Sequence, residues 1–281
     1  MDYETCLGEG LCNFETTDGF PKWSPDQQNA LVASQLLTSR LSLFEEAHPL
    51  ILGDSLGFLP EEPTEWQLWE GWSSFWFSST EIGYLAEDNT GTNQTIFKAN
   101  INGADPEPVL SIDEIVTALP TTLPITGSRL NWVQPHPLKP DSLLLTVILS
   151  TTDDSTPSFL IEYDLASESG MILDIFQRSA AQSLKVFDFS PNGRFGTIFG
   201  QNEFNQTQLH LFDFEANTIQ QTIPNVPLDG FGLVWSDDSE WILTGQGPSL
   251  RLTAVNHDYY KLLTFPEAAC STGVWINPID F

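Results

Sequence analysis

One serine of the chain stands in a pattern that makes serine nucleophilic in many hydrolases. The segment Gly53-Asp54-Ser55-Leu56-Gly57 has the Gly-x-Ser-x-Gly spacing, in which the serine must lie on a sharp turn between a strand and a helix. Residues 49–52 fit the strand, but residues 58–63 contain two prolines where the helix would have to begin. We therefore interpret residues 53–57 as a loop, and the sequence predicts no catalytic residue.

The side chains that commonly hold metal ions are scattered along the chain. The histidines have no His-x-x-x-His spacing of the kind found in zinc sites, and we interpret them as core or surface residues. They are His48, His136, His210 and His257. Two acidic segments, residues 153–156 and 237–239, carry hard oxygen ligands of the kind that calcium takes, but neither has the Asp-x-Asp-x-Asp-Gly pattern. The sequence therefore predicts turn residues there, no metal ligand and no cofactor, with calcium as the open alternative.

Residues 66–77 form the most unusual aromatic segment of the chain. Trp66, Trp69 and Trp72 recur at three-residue spacing just before a predicted strand that contains Trp76 and Phe77. Tryptophan in a loop is a favoured binding anchor because it combines a large apolar surface with a hydrogen-bond donor. We therefore predict that Trp66, Trp69 and Trp72 bind a partner from a loop at the end of the sheet. The alternative is that these rings pack the long connection against the strands of the same unit.

These candidates lie within a repeated sequence. Six copies of a short phrase begin with an aromatic residue and continue into a turn. The copies are Trp23-Ser24-Pro25-Asp26, Phe77-Ser78-Ser79-Thr80, Trp132-Val133-Gln134-Pro135, Phe189-Ser190-Pro191-Asn192, Trp235-Ser236-Asp237-Asp238 and Trp275-Ile276-Asn277-Pro278. The aromatic residues are 54, 55, 57, 46 and 40 positions apart. A period of roughly 40 to 55 residues indicates repeats of one supersecondary unit.

Each unit predicts four short strands. After the turn comes an apolar run, then a polar loop, a second alternating run and a last apolar stretch. The second runs are residues 40–44, 95–101, 158–165, 208–214 and 249–255. Period-two alternation indicates half-buried strands, and such units bury both faces only when neighbours stack, as propeller blades do. Residues 111–119 alone show a helix pattern, with a serine N-cap and acids in the first turn.

The repeats resemble the blades of TolB-like β-propellers. The resemblance rests on residues 77–81, 83–86 and 96–103 of one unit, and on Phe189-Ser190-Pro191-Asn192-Gly193-Arg194, which matches the family's turn. It covers roughly residues 20–281 and implies an all-β propeller that binds partners, without assigning catalytic residues. The third copy departs most from the pattern, because residues 135–140 contain three prolines that lengthen its turn.

The two ends of the chain predict a shared blade. Five complete four-stranded blades fit between residues 18 and 269, and the sixth copy, near Trp275, has only its innermost strand. We expect one propeller domain over residues 1–281, closed by a hairpin at residues 1–17, because an open propeller leaves strand edges exposed. The alternatives are a loose N-terminal tail and a chain cut from a longer protein. The cysteines flank this closure and are disulfide candidates: Cys6, Cys12 and Cys270.

Charge restricts the partners. The chain has 10 basic and 38 acidic residues, a net charge of −28. Such a surface repels phosphate backbones and anionic lipid, so the sequence predicts no nucleic-acid binding. No stretch has the 18 or more apolar residues of a membrane-spanning helix, and the first twenty residues lack the pattern of a secretory signal.

Two classes of function remain. The first is a non-enzymatic binding or assembly module with a protein or small ligand at the propeller face. The second is a carboxylate-dependent hydrolase of the glycan-cleaving type, with its acids at the central channel. The TolB-like resemblance favours the first class and implies an extracytoplasmic location, and a disulfide among the terminal cysteines would point to the same location.

Overall fold

A computed structural model describes most of the chain between residues 22 and 264. The described residues are 22–23, 29–34, 40–45, 48–51, 66–68, 75–88, 91, 93–100, 107–120, 125–151, 157–176, 185–201, 207–224, 233–246, 249–257 and 259–264. The chain divides into two compact units. The first comprises Met1–His136, Asp141–Ile148 and Ile161–Ile172, and the second comprises Pro137–Pro140, Leu149–Leu160 and Leu173–Phe281. The single domain expected over residues 1–281 stays a prediction.

The described residues form five antiparallel sheets, in which most strands pair with their neighbours in sequence. Sheet 1 contains β1 (Lys22–Trp23), β2 (Asn29–Ser34), β3 (Arg40–Glu45) and β4 (His48–Ile51). Sheet 2 contains β5 (Trp66–Leu68), β6 (Phe75–Trp76), β7 (Glu81–Asp88), β8 (Gln94–Asn100) and β9 (Glu107–Ser111). Sheet 3 contains β10 (Ile125–His136), β11 (Lys139–Thr151), β12 (Ser158–Asp164) and β13 (Ser169–Phe176). Sheet 4 contains β14 (Lys185–Phe189), β15 (Phe195–Gln201), β16 (Thr207–Asp213) and β17 (Thr218–Pro224). Sheet 5 contains β18 (Val234–Trp235), β19 (Trp241–Gln246), β20 (Ser249–Ala254) and β21 (Tyr260–Thr264).

The predicted second runs are confirmed. All five are the third strands of four-stranded paths, namely β3, β8, β12, β16 and β20. The mostly β architecture predicted from period-two alternation is therefore confirmed. The predicted count of five complete blades and a partial sixth stays a prediction, since residues 1–21 and 265–281, with Trp275, lie outside the described residues.

The aromatic residue of the second copy is shifted by one position from its predicted place. Trp235 pairs with Ile242, seven residues on, and the first and fourth copies have the same seven-residue offset. In sheet 2, however, Trp76 pairs with Ile82, and Phe77 lies just beyond the strand. The turn of this copy is one residue shorter, so Trp76 takes the place that the sequence pattern gave to Phe77.

The third copy also differs from its predicted form. Trp132 lies four residues before the end of β10, which runs on to His136, and β11 begins at Lys139. Only Pro137 and Leu138 separate the two strands, so the prolines do not lengthen this turn. Because the two strands continue to a tight turn, His136 rather than Trp132 is the last residue of the first strand.

The predicted helix is confirmed as α1 (Ile112–Ala118). Its N-cap is Ser111, whose hydroxyl accepts a hydrogen bond from the Glu114 amide at 3.3 Å. The Glu114 carboxylate in turn accepts hydrogen bonds from the Ser111 amide at 2.7 Å and hydroxyl at 2.6 Å, which completes a capping box. These two bonds from Ser111 lower the pKa of Glu114. Ile112 and Ile115 are buried, so α1 turns its apolar side into the first unit.

Sheets 4 and 5 pack face to face in the second unit. Phe195 and Leu211 of sheet 4 form one buried cluster with Trp235 and Ile242 of sheet 5 and with Val255, which follows β20. The rings of Phe195 and Trp235 are stacked, with centroids 6.4 Å apart and planes at 12°. Stacking of neighbouring sheets buries the faces that no single unit could bury, as the repeat pattern requires.

Candidate functional site: a row of turns

The turn between β14 and β15 is fixed by one serine. The Ser190 hydroxyl accepts a hydrogen bond from the Phe195 amide at 2.9 Å and donates to the Asn192 side-chain oxygen at 2.7 Å. That oxygen also accepts the Arg194 amide at 3.0 Å. Ser190 is buried, so its hydroxyl satisfies groups that water reaches poorly. The turn therefore has its own internal hydrogen-bond network.

The turn between β18 and β19 repeats this network with different residues. The Ser236 hydroxyl accepts the Trp241 amide at 2.9 Å and donates to the Asp238 carboxylate at 2.6 Å. The same carboxylate oxygen accepts the Glu240 amide at 3.0 Å. Hydrogen bonds from Ser236 and from the Glu240 amide lower the pKa of Asp238. The two turns thus have one geometry, although the second carries three acidic side chains and the first carries none.

The fourth position of each turn has the left-handed backbone conformation. Gly193 has φ 72°, and Ser239 has φ 62° at the matching position of the second turn. Serine is unfavourable in this conformation, but its hydroxyl accepts a hydrogen bond from the Asn192 amide at 3.1 Å. A glycine at position 239 would have no side chain to accept this hydrogen bond. Ser239 therefore joins the two turns to each other.

The turn between β10 and β11 adjoins the same surface. A Cβ atom added at Gly193 would lie 3.1 Å from the Pro137 Cβ and 3.2 Å from the Leu138 Cδ2, so these residues pack closely on the glycine. We define the turn row as residues 137–138, 190–194 and 236–240. Three consecutive repeats contribute to it, and direct contacts connect each turn to the next.

The exposed surface of the turn row is mostly polar and acidic, with one exposed apolar side chain, Leu138. Leu138 is 41% exposed, and five other residues of the row are also exposed. They are Pro191, Asn192, Asp237, Asp238 and Glu240. The carboxylates of the row are exposed, and the hydrogen-bond networks of the turns fix the backbone that carries them. The row therefore holds negatively charged side chains in fixed positions at its surface.

The basic residue of the row, Arg194, is neutralised. Its guanidinium donates to one Asp213 oxygen at 2.7 and 3.1 Å and lies 3.3 Å from the Glu215 carboxylate. The other Asp213 oxygen accepts the amides of Glu215 and Ala216 at 2.9 and 3.1 Å. Burial alone would raise the pKa of Asp213, but the bonds from Arg194 and these amides lower it. Arg194 also lies 4.9 Å over the Phe195 ring, so it braces the turn.

The tryptophans chosen from the sequence are placed only in part. Trp66 lies in strand β5, paired with Asp88, rather than in a loop. This is the end of β7 away from residues 78–80, the turn that follows Phe77. Trp69 and Trp72 lie outside the described residues, so their binding role stays a prediction. The repeat pattern assigns one strand before each turn, but in sheet 2 both β5 and β6 pair with β7, and six residues separate β5 from β6. Strand β5 was therefore not predicted from the sequence.

Other candidates from the sequence have structural surroundings or lie outside the described residues. The acidic pair Asp237-Asp238 lies in a turn, as expected, and no group of three or more metal-ligating side chains occurs among the described residues. The serine pattern at residues 53–57 and the acids at residues 153–156 lie outside the part described, as do Cys6, Cys12 and Cys270. The described part also contains no helix long and apolar enough to span a membrane.

Two histidines have partners that the sequence did not reveal, and the partner of His136 is buried. His136 is 3% exposed, and its Nε2 lies 3.7 Å from a carboxylate oxygen of the buried Glu162. His210 shares a contact with the Thr222 hydroxyl at 3.0 Å, and burial lowers the pKa of its imidazole. The expectation of core or surface histidines is therefore confirmed for these two. Their partners are 26 and 12 residues away in sequence, a separation that only strand pairing bridges.

Two solved structures share the fold. The chain is similar to an oligogalacturonate lyase from Vibrio parahaemolyticus, with a TM-score of 0.54 and 10% identity over 90% of this chain and 68% of that chain. It is also similar to the Dos1 propeller, with a TM-score of 0.50 and 8% identity over 87% of this chain and 57% of that chain. The fold is a β-propeller fold.

TolB from Acinetobacter baumannii is a further similar structure. It has 13% identity and a TM-score of 0.46, over 87% of this chain and 51% of that chain. The chain thus spans about half the length of that TolB structure. The resemblance predicted from the repeats is confirmed at the level of the fold. No protein-family model and no curated protein matches the sequence.

Proposed function

We propose that the protein is a non-enzymatic binding module whose turn row holds a basic segment of a protein partner. The observation that carries this proposal is the direct connection of turns from three consecutive repeats. Asn192 bonds to Ser239, and Pro137 packs on Gly193. A surface fixed in advance loses little conformational freedom on binding, which favours affinity.

Charge selects the class of partner. The row exposes Asp237, Asp238 and Glu240, and its arginine is already paired with Asp213. Lysine and arginine side chains complement such a surface, and the net charge of −28 speeds their approach. The exposed Leu138 adds an apolar contact for the stem of a bound side chain.

A hydrolase is less well supported. Glycan-cleaving enzymes need two carboxyl groups about 5 to 10 Å apart across a bound sugar. Several carboxylates instead bind backbone amides that hold a turn or a helix start. They are Asp88, Asp164, Asp213, Asp238 and Glu114. Likeness to a lyase at 10% identity supports only the fold.

The proposal includes features that the sequence alone suggested. Five blades and a sixth closed by residues 1–17 would complete the propeller, and Trp66, Trp69 and Trp72 would supply a second binding surface. An extracytoplasmic location would allow the cysteines to form a disulfide. Calcium stays the candidate ion for the acidic segments.

The experiment is a titration of fluorescein-labelled octalysine followed by fluorescence anisotropy. In the test variant, Asp237→Asn and Glu240→Gln remove two charges from the row. In the control variant, Glu107→Gln and Asp113→Asn remove two exposed charges from β9 and α1. Each exposed charge pair contributes about 0.5 kcal/mol, so the test variant should bind about 5-fold more weakly. Equal weakening in both variants would show that net charge alone attracts the peptide and would refute the proposed site.

A further inference from the structure

Sheet 5 contains a buried arginine outside the turn row. Arg251 is 9% exposed and pairs with Thr244 and Leu262 on the neighbouring strands. The Tyr260 ring lies over its guanidinium at 4.0 Å. Tyr260 itself is 52% exposed, so one aromatic ring separates the buried cation from solvent. The site is about 10 Å along β20 from Ala254, which marks the end of the sheet near the turn row.

Two buried side-chain polar atoms of β20 have no hydrogen-bond partner among the described residues. They are the Arg251 Nε and the Thr253 hydroxyl oxygen, and Thr253 is fully buried. Residues two apart on a strand share a face, so both side chains lie on the same side of β20. That side also carries Ile242, which pairs with Thr253 and belongs to the cluster packed against sheet 4. Buried polar groups without partners are rare in folded proteins, so this pair requires an explanation.

We propose that Arg251 and Thr253 bind a small carboxylate ligand. The Nε and one terminal nitrogen of a guanidinium form a fork that matches the two oxygens of a carboxylate. The Thr253 hydroxyl supplies a third donor on the same face. Tyr260 covers the guanidinium by a cation–π contact and closes the site on the solvent side. The bound anion would compensate the buried positive charge, for which the described residues provide no carboxylate.

Electrostatics are consistent with a site of this kind. Burial lowers the pKa of Arg251, while the neighbouring Tyr260 raises it, so desolvation acts against the charged form. A carboxylate within hydrogen-bond distance removes that penalty. The net charge of −28 repels free anions at long range, but physiological salt screens this repulsion beyond about 8 Å.

The test uses the arginine side chains of the full chain as reporters. The chain has five arginines, so the Nε–H region of a ¹H–¹⁵N correlation spectrum contains at most five signals. Arg251→Lys removes one signal and assigns it. The Arg194 Nε–H donates to Asp213 and is the internal control. Sodium acetate is titrated, with sodium chloride at equal ionic strength as the reference and inorganic phosphate as a second anion.

The proposal predicts a saturable shift of the Arg251 signal with acetate and a constant Arg194 signal. Thr253→Val, which keeps the side-chain shape, should weaken acetate binding about 5- to 10-fold. Two results would overturn the proposal. One is an Arg251 signal that acetate does not move, as when another part of the chain already occupies the site. The other is an equal response to chloride. Tighter binding of phosphate than of acetate would overturn the assignment to a carboxylate.

Discussion

Replacing Ser190 by alanine tests the turn network most sharply. The substitution removes the acceptor of the Phe195 amide and the donor to Asn192, at 2.9 and 2.7 Å. Phe195 is 3% exposed, so its amide would lose its side-chain acceptor in a place that water cannot easily reach. A buried donor without a partner costs about 1–3 kcal/mol, and the lost bond to Asn192 costs about 1 kcal/mol more. We expect Ser190→Ala to lower the free energy of unfolding by about 2–4 kcal/mol.

Two further serine-to-alanine substitutions provide a comparison for this value. Ser236→Ala removes the equivalent network, so it should cost about as much. Ser78→Ala is the control, because the Ser78 hydroxyl makes longer contacts, 3.2 Å to the Thr80 amide and 3.4 Å to the Glu81 carboxylate. These contacts are exposed or partly buried, so we expect a loss below about 0.5 kcal/mol.

The assay is denaturation by urea, followed by tryptophan fluorescence and far-UV circular dichroism. Agreement of the two probes justifies a two-state free energy, and an unchanged m-value shows that the transition is the same in each variant. If Ser190→Ala and Ser78→Ala were equally destabilising, the turn network would not fix the row, and the basis for a preformed binding surface would be lost.

Three further predictions concern charge, backbone and thiols. Hydrogen bonds lower the pKa of Asp213 in the folded state. Its contribution to stability is therefore present above its unfolded pKa of about 4 and is lost as pH falls through the folded value. Asp213→Asn should flatten the acid limb of a pH–stability curve, and an unchanged limb would refute the Arg194 pairing. Gly193→Ala should cost more than Gly91→Ala, because both glycines have positive φ but only Gly193 has neighbours within 4 Å; equal losses would count against close packing of adjacent turns. Mass mapping without reductant should find a disulfide among the cysteines at the chain ends, which are Cys6, Cys12 and Cys270. Three free thiols would contradict both a covalent closure of the chain ends and an extracytoplasmic location.

The strands were predictable because half-buried sheets impose an alternating pattern on local sequence. Residues 208–214 alternate polar and apolar side chains except at the adjacent Leu211 and Phe212, and β16 begins and ends within one residue of that run. The helix was predictable for a similar reason. Ser111 and Glu114 have the spacing of a capping box, a contact that is completed within four residues.

Register was harder to predict because it depends on the pairing of two strands. Phe77 and Phe189 precede similar serine turns, yet a turn shorter by one residue moves Trp76 into the strand-end position. In the third copy, His136 takes that position, since a two-residue turn lets β10 continue past Trp132. A one-residue change in a turn alters pairing without changing the local pattern.

The candidate sites depended on contacts that no local pattern contains. The bond from Asn192 to Ser239 joins residues 47 positions apart, and the sequence gave no reason to pair them. Arg251 stands in an ordinary alternating strand, and only its burial beneath Tyr260 distinguishes it. The glycine-like position of Ser239 was the one available signal, because it aligns with Gly193 in the repeated phrase.

Hydrogen–deuterium exchange with bound octalysine locates the peptide on the chain and therefore shows directly whether the turn row is the binding site. We expect slower exchange in peptides covering the turn row, residues 137–138, 190–194 and 236–240. The hairpin between β7 and β8, where Asp88 accepts the Asn93 amide at 3.3 Å, is the reference and should exchange at an unchanged rate. Protection of that hairpin with no change in the row, or no protection anywhere at saturating peptide, would show that the turn row is not the binding site.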